Sequence, residues 1–285
     1  MEAKPFPDVP PLGPEAFQAV AGLVYRHTGI RLAQGKEYFV AGRLGKLLRD
    51  LGCSRWEELP ERVAASPSSV RDALIQAVVT PETRFFRDEV PFEALREHIA
   101  PEVCRGRPGP VRLRVWSAGC STGQEPYSIV MCLWDTVESG RIDLEVVGTD
   151  ISRAALVRAR EGVYEPWELQ RGLDAERMAR YFESVGGGRA RVRSELRARV
   201  RFQRANLVSD PPPPGGFQVV FCRNVGIYFD RESKRRLLSG LVRALVPGGY
   251  LFLGGTESLH PPFPGLRPVR RGRALCYRNE REEAP

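Results

Sequence analysis

The hydrophobic rhythm of the chain changes once, near residue 111. Upstream, apolar side chains recur every three or four positions. Phe17, Val20, Val24 and His27 fall on one helical stripe. A second stripe within Tyr38 to Leu51 places Phe39, Leu44, Leu47 and Leu48 inward, with Arg43, Lys46 and Arg49 on the outer side. Pro60 and the Ser-Pro-Ser-Ser stretch at 66–69 punctuate further short helices. No long β-branched run precedes residue 111. Residues 1–90 are therefore expected to form a small all-helical domain with a linker, and residues 91–285 a second domain.

Downstream, short apolar runs alternate with helical patterns. Val111–Trp116, Leu144–Asp150, Val200–Arg204, Phe217–Cys222 and Tyr250–Leu253 read as strands, and residues 124–138 and 152–161 as helices. Strands alternating with helices predict an α/β domain with a doubly wound, Rossmann-like parallel sheet, whose ligands bind at the carboxyl ends of the strands. Residues 162–199 are too many for one crossover. With Gly186, Gly187 and Gly188 between polar, alternating segments, they are expected to form an inserted small β-subdomain, a helix plus a hairpin.

Composition narrows the class without naming a function. Hydrophobic residues make up 42% and charged residues 27% of the 285, an ordinary globular balance. No apolar run reaches the roughly 18 to 20 residues of a membrane span, so direct membrane insertion is not expected. The opening Met1 to Phe17 has no apolar signal-peptide core, and a cytoplasmic location is expected. The six cysteines (53, 104, 120, 132, 222, 276) form no CxxC pair, and the three histidines (27, 98, 260) have no ligand spacing. Neither disulfides nor a metal are expected. Cys120 and Cys222 read as small apolar fillers at strand ends. Nothing demands a dimer, and a monomer is expected.

The net charge is +8 and the pI about 9.4. Residues 1–90 hold twelve Lys/Arg against twelve Asp/Glu, so the whole excess lies downstream. It is densest from Gly188 to Arg204, with seven arginines against Glu195. This run reads as a solvated face or as a docking surface for an acidic partner.

Two features carry candidate chemistry. Ser117 to Ser128 lies between a strand and a helix, and Gly119 and Gly123 allow close backbone approach with amides pointing at a ligand. It is neither a P-loop nor a strict GxGxxG. Asp150 closes the second strand, where a carboxylate accepts ribose hydroxyls or serves as a helix N-cap. The glycine loop upstream favours the ribose. Glu125 puts a negative charge at the helix start, which opposes a pyrophosphate but suits a cofactor carrying an ammonium and a sulfonium. S-adenosylmethionine is favoured over NAD or ATP.

Thr83–Asp88 (TRFFRD), Ser117–Ser128 (SAGCSTGQEPYS), Gly148-Thr-Asp150, Phe221–Asp230 (FCRNVGIYFD) and Gly254–Leu259 (GGTESL) together resemble the CheR family of chemotaxis receptor methyltransferases, in family order and spacing over about residues 15–278. The resemblance implies a class I S-adenosylmethionine-dependent methyltransferase fold with a helical N-terminal domain and an inserted β-subdomain. It implies methyl transfer to glutamate side chains of the cytoplasmic helical bundle of a methyl-accepting chemoreceptor, giving methyl esters and S-adenosylhomocysteine.

By motif position, Thr83 and Arg87 line the cofactor pocket, Gly119 and Glu125 hold the methionine portion, and Asp150 holds the ribose. Asn206 and Leu207, ending the third strand, contact the adenine, and Arg223 and Asn224 close the floor. Tyr228 stands beside the transferring methyl, and Arg87 with Tyr228 orients the incoming carboxylate. The face bearing Arg43, Lys46 and Arg49 is the expected receptor-docking surface, with the arginine-rich hairpin as the other candidate. Phe85 and Phe86 read as packing residues. Arg87 taken alone reads as an ion-pair partner of Asp88 or Glu89. Glu257 has no role beyond a turn.

Three positions depart from the family pattern: Gln124 replaces the first of two glutamates, Pro81 an Asn or Gly, and Gly226 a bulky apolar residue. These changes keep alive a non-catalytic S-adenosylmethionine-binding sensor or receptor tether of the same fold. A nucleic-acid methyltransferase is disfavoured: the Asp210-Pro-Pro-Pro213 run precedes the fourth strand rather than ending it, so no nucleic-acid partner is expected.

Overall fold

The computed structural model describes residues 9–259 and 261–281, so residues 1–8, His260 and residues 282–285 lie outside the described residues. The chain divides into two compact units, Met1–Thr80 with Tyr228–Ser233, and Pro81–Ile227 with Lys234–Pro285.

The first unit is helical, with α1 (Pro14–Thr28), α2 (Glu37–Asp50), α3 (Leu59–Ala65) and α4 (Ser68–Val78). Proline suits the first turn of α1, where its missing N–H has no partner to lose. Gly29 ends the helix in the left-handed conformation (φ 72°), its N–H donating to the Tyr25 carbonyl. The apolar stripes meet in a core of Val20, Leu23, Val24, Leu44, Leu48, Trp56 and Leu74, all at most 1% exposed. Burying each such leucine or valine contributes about 1.5–3 kcal/mol. His27 and Phe39 sit at the half-buried margin, while Arg43, Lys46 and Arg49 are exposed as the pattern predicts. The segment Tyr228–Ser233 joins this unit by a bridge between Phe229 and Ile30 and by the Arg31 N–H donating to the Tyr228 carbonyl (3.3 Å).

The second unit holds β1 (Val111–Ala118), β2 (Ile142–Asp150), β3 (Val163–Tyr164), β4 (Phe182–Gly186), β5 (Arg189–Val192), β6 (Val200–Arg204), β7 (Phe217–Cys222), β8 (Leu245–Leu253), β9 (Leu266–Arg271) and β10 (Ala274–Asn279). Seven of them form one sheet in the order β6-β2-β1-β7-β8-β10-β9. The strands from β6 to β8 run parallel, and β10 is antiparallel to both neighbours. Leu113 and Val115 of β1 and Val219, Val220 and Phe221 of β7 are fully buried, as expected of central strands covered on both faces. The helices α5 (Val90–Ala94) and α6 (Ala100–Cys104) precede β1, and α7 (Gln124–Glu138) is the crossover from β1 to β2, followed after β2 by α8 (Arg153–Glu161).

Residues 163–192 supply the inserted antiparallel sheet, ordered β3-β5-β4. The segment contains the short helices α9 (Pro166–Leu169) and α10 (Ala175–Tyr181). Downstream of it, α11 (Ser194–Arg197) precedes β6, and α12 (Arg231–Ala244) follows β7. Phe85 packs edge-on against Tyr164 of β3 and Phe182 of β4, with centroids at 4.8 and 5.5 Å.

The β9–β10 pair goes beyond the five strands read from the sequence. Leu266-Arg-Pro-Val-Arg-Arg271 carries a proline that argues against a central strand, and it lies at the sheet edge, where proline is tolerated. The arginine run from Gly188 to Arg204 is largely tied to its own fold. Arg193, Arg197 and Arg204 donate to the carbonyls of Ala179, Val192 and Ile151, and Arg199 pairs with Asp143 at 3.0 Å. Arg189 and Arg201 are exposed.

Candidate functional site

The loop after β1 is built around glycines, with an outcome different from the expectation. Gly119 has φ +83°, and a Cβ there would overlap the Val225 side chain. Its amide and that of Cys120 both donate to the Thr149 carbonyl (2.8 and 2.9 Å). The Gly123 N–H goes to Cys120 O, and the Ser121 N–H to Asp150 Oδ2 (2.9 Å). These amides are engaged within the protein, so they do not point at a ligand as the glycine pattern predicts. The Gly119, Cys120 and Ser121 amides clasp the ends of β1 and β2 together. At Gly123 (φ +95°) a Cβ would lie 2.9 Å from Ala159 Cβ, so this glycine permits close packing against α8.

Asp150 sits at the carboxyl end of β2. Its Oδ1 accepts the Ser152 N–H at 2.8 Å and its Oδ2 the Ser121 N–H at 2.9 Å. The N-cap of α8 is Ser152, whose hydroxyl oxygen accepts the Ala155 N–H (3.2 Å). The N-cap reading of Asp150 therefore falls away. Each carboxylate oxygen keeps lone-pair capacity for a further donor. Burial pushes the Asp150 carboxyl up, against the opposing pull of the amide donors.

Glu125 stands in the first turn of α7. The Ser117 hydroxyl donates to its Oε1 at 2.7 Å, and Arg223 Nη1 lies 3.3 Å from its Oε2. Arg223, just past β7, has a side chain 2% exposed, and its Nη2 reaches Asp88 at 2.8 Å. Burial raises the Glu125 carboxyl above the usual glutamate range, opposed first by the Arg223 charge. Cys120 and Cys222 are buried fillers beside these groups, their thiols pushed well up by desolvation.

The segment leading into the second unit delivers Thr83 and Arg87, both half-buried. Phe85 and Phe86 flank the turn as packing residues, 0% and 7% exposed. The Phe86 N–H donates to Ser128 Oγ (2.9 Å), and the Arg177 guanidinium lies 4.0 Å from the Phe86 ring centroid. The ion-pair reading of Arg87 does not hold. Asp88 pairs with Arg223, Glu89 pairs with Arg177, and Arg87 donates to the Glu82 carbonyl at 3.3 Å.

Asn206 and Leu207, expected to end the third strand, lie beyond it. That strand, β6, stops at Arg204, and the two lie half-buried in the turn that follows. There Asn206 Oδ1 accepts the Val208 N–H and Asp210 accepts the Asn206 N–H. These local bonds compete with continuation of the ladder. Tyr228 closes the short helical turn Gly226–Tyr228 and is 44% exposed.

Two residues that sequence reasoning left without a role belong here. Glu257 Oε2 accepts the N–H groups of Asn224 (2.6 Å) and Gly254 (2.8 Å). Asp88 shares Arg223 with Glu125. Both lie inside motifs quoted for the resemblance, but no local pattern marks their long-range partners.

Among the described residues, the non-glycine residues with left-handed backbone are Phe86, Asp88, Ser121 and Asn224, all in these loops. Such conformations cost on the order of 1–3 kcal/mol and persist where the surroundings impose them. Ser121 Oγ and Asn224 Oδ1 are buried without a hydrogen-bond partner. Two unfilled polar positions, a clamped carboxylate with spare lone pairs and a buried glutamate fit a ligand with vicinal hydroxyls, N–H donors and positive charge. S-adenosylmethionine has that chemistry. Among the described residues, no group of three or more His, Cys, Asp or Glu is placed to hold a metal ion.

Comparison with known proteins covers both units. The family model described as "CheR methyltransferase, all-alpha domain" matches residues 15–79, and "CheR methyltransferase, SAM binding domain" matches 81–267. Chemotaxis protein methyltransferase Cher2 of Pseudomonas putida is 42% identical over 249 residues, covering 86% of this chain and 90% of the relative. Chemotaxis protein methyltransferase 1 of Pseudomonas aeruginosa is 41% identical over 266 residues, with 92% and 97% covered. The chemotaxis protein methyltransferase of Vibrio parahaemolyticus is 39% identical over 255 residues, with 88% and 91% covered. With both of its domains matched in order, this chain belongs to the CheR family of S-adenosylmethionine-dependent methyltransferases.

Proposed function

We propose that the chain methylates glutamate side chains in the cytoplasmic helical bundle of a methyl-accepting chemoreceptor, giving glutamyl methyl esters in chemosensory adaptation. The observation that carries this reading is a pair of acids, Asp150 at the end of β2 clamped by two amides and Glu125 in the first turn of α7 buried beside Arg223, with the amides of Gly119, Cys120, Ser121 and Gly123 engaged internally. The names of the relatives, all chemotaxis protein methyltransferases, support the pathway.

Thr83 and Arg87 line the cofactor pocket, Gly119 and Glu125 hold the methionine portion, Asp150 the ribose, Asn206 and Leu207 the adenine, and Arg223 and Asn224 the floor. When bound, S-adenosylmethionine supplies an activated methyl group on a positively charged sulfur. The acceptor glutamate is ionised at neutral pH, with a reference pKa of about 4.3, so this chain needs no general base. Its task is alignment in a partly dry site. The Arg87 guanidinium, which is in no ion pair among the described residues, pairs with the incoming carboxylate, and the Tyr228 hydroxyl donates a hydrogen bond to it. The reaction proceeds in the cytoplasm, on a monomeric enzyme, without a metal.

The test uses methyl-labelled S-adenosylmethionine, the purified protein and the cytoplasmic bundle of receptors from the same cell. Label released as methanol by mild base, and lost in Tyr228→Phe, is the expected result. Base-stable label would overturn the carboxyl acceptor. Full turnover in Tyr228→Phe would overturn the role of the tyrosine.

A further inference from the structure

We propose that Glu257 is a positioning residue of the cofactor site, holding Asn224 in the left-handed conformation that leaves its side-chain oxygen buried and open to a ligand. The inference deepens the cofactor reading above and rests on it.

Glu257 stands 33 residues from Asn224, in the turn after β8, yet its Oε2 accepts the Asn224 N–H at 2.6 Å. The same oxygen accepts the Gly254 N–H at 2.8 Å, and the Glu257 N–H returns to the Gly254 carbonyl at 2.8 Å. One carboxylate oxygen thus joins the backbone just past β7 to the backbone just past β8, by charge-assisted bonds stronger than neutral ones. Asn224 has φ +59°, a region that asparagine tolerates better than most residues but does not choose by default. Its Oδ1 is buried with no partner. An acceptor fixed in that state has a cost until a donor arrives, which marks it as a ligand contact rather than a fold contact.

The surroundings are cut to admit Glu257. A Cβ at Gly254 would lie 2.6 Å from Glu257 Oε2 and 2.9 Å from Asn224 Nδ2. A Cβ at Gly226 would lie 3.1 Å from Glu257 Oε1. The glycine at 226, a departure from the family pattern, therefore faces the carboxylate that holds Asn224. It leaves that carboxylate room.

The test is a double-substitution cycle on the full chain, read by calorimetric titration with S-adenosylmethionine and with S-adenosylhomocysteine. Glu257→Ala should weaken binding tenfold or more. Glu257→Gln, which keeps an oxygen for both amides, should stay within threefold of the unaltered chain. In an Asn224→Ala background, Glu257→Ala should cost less than a further twofold, because its effect runs through Asn224. A merely structural carboxylate would lower the urea midpoint while leaving affinity intact, or would give losses that multiply, and either result overturns the proposal. Should Glu257→Ala not fold, Glu257→Asp, one methylene short of the amides, takes its place in the cycle. Asp150→Asn separates the two levels: if it abolishes binding while Glu257 variants bind normally, only this inference fails. If neither substitution changes affinity, the cofactor reading fails with it.

Discussion

Arg223 and Glu125 meet at 3.3 Å with their side chains 2% and 14% exposed. Removing one partner of such a pair strands the other charge in a dry place, which costs about 3–5 kcal/mol. Arg223→Met should therefore lower the urea unfolding midpoint sharply. Adding Glu125→Gln to it should recover much of the loss, because the stranded charge is gone. Equal midpoints for the single and double variants would show that the pair carries no such coupling.

With Glu125 in the proposed cofactor site, the same pair should make cofactor binding depend on pH. Burial holds the Glu125 carboxyl above the ordinary glutamate value of 4.5. Its folded pKa is raised, so between the unfolded and folded values the folded chain binds more protons, and this group's contribution to stability falls as pH rises through that window. Binding runs the other way. A positively charged cofactor prefers the ionised carboxylate, so affinity should fall as pH drops through the raised value. Titrations between pH 4.5 and 8 should show the decline, and Glu125→Gln should flatten it.

Much of this was legible in the sequence, for reasons specific to each element. Leu44, Leu47 and Leu48 repeat with the helical period, and all three are buried. Val111, Leu113 and Val115 alternate as a strand does, and they face the core. The misses share a different cause. The Gly119 and Cys120 amides turn to the Thr149 carbonyl rather than to a ligand, a choice made by where the end of β2 lies. Glu257 reads as a turn residue because its partner is 33 positions away. Edge position, which rescues Pro268 in β9, is a property of the finished sheet. Periodicity reports local burial, whereas hydrogen bonds across strand ends depend on topology.

Gln124 is the departure from the family pattern with a visible partner. It is 1% exposed, and its Nε2 donates to Glu168 Oε1 at 3.2 Å, while Thr122 Oγ1 donates to its Oε1 at 2.8 Å. Gln124→Glu would set a second carboxylate against Glu168, with Arg158 alone to balance both. One of the two must then take up a proton in the folded state, so its pKa rises and the penalty grows as pH rises. Thermal melts should show Gln124→Glu destabilised by about 1–3 kcal/mol at pH 8, a few degrees, and closer to the unaltered chain at pH 5. Equal deficits at both values would mean that packing, not charge, is at fault.

Arg43, Lys46 and Arg49 follow one another at intervals of three along α2, all exposed. Lys46 lies 3.8 Å from Asp50, but with side chains 82% and 59% exposed that pair is screened and holds the lysine weakly. Arg43 rests against Phe39, its guanidinium 5.2 Å from the ring centroid, which preorganises one cation of the row. An acidic helical bundle would meet this row through long-range attraction, which sets encounter rate more than final affinity. Arg43→Glu combined with Lys46→Glu should raise the KM for receptor several-fold at low salt and leave kcat and cofactor affinity unchanged. The gap should close with added salt, since the Debye length shrinks from about 10 Å at 0.1 M to about 3 Å at 1 M. An unchanged KM at low salt would move the docking surface to the exposed arginines of the inserted hairpin, where Arg189→Glu should then produce the salt-dependent loss instead.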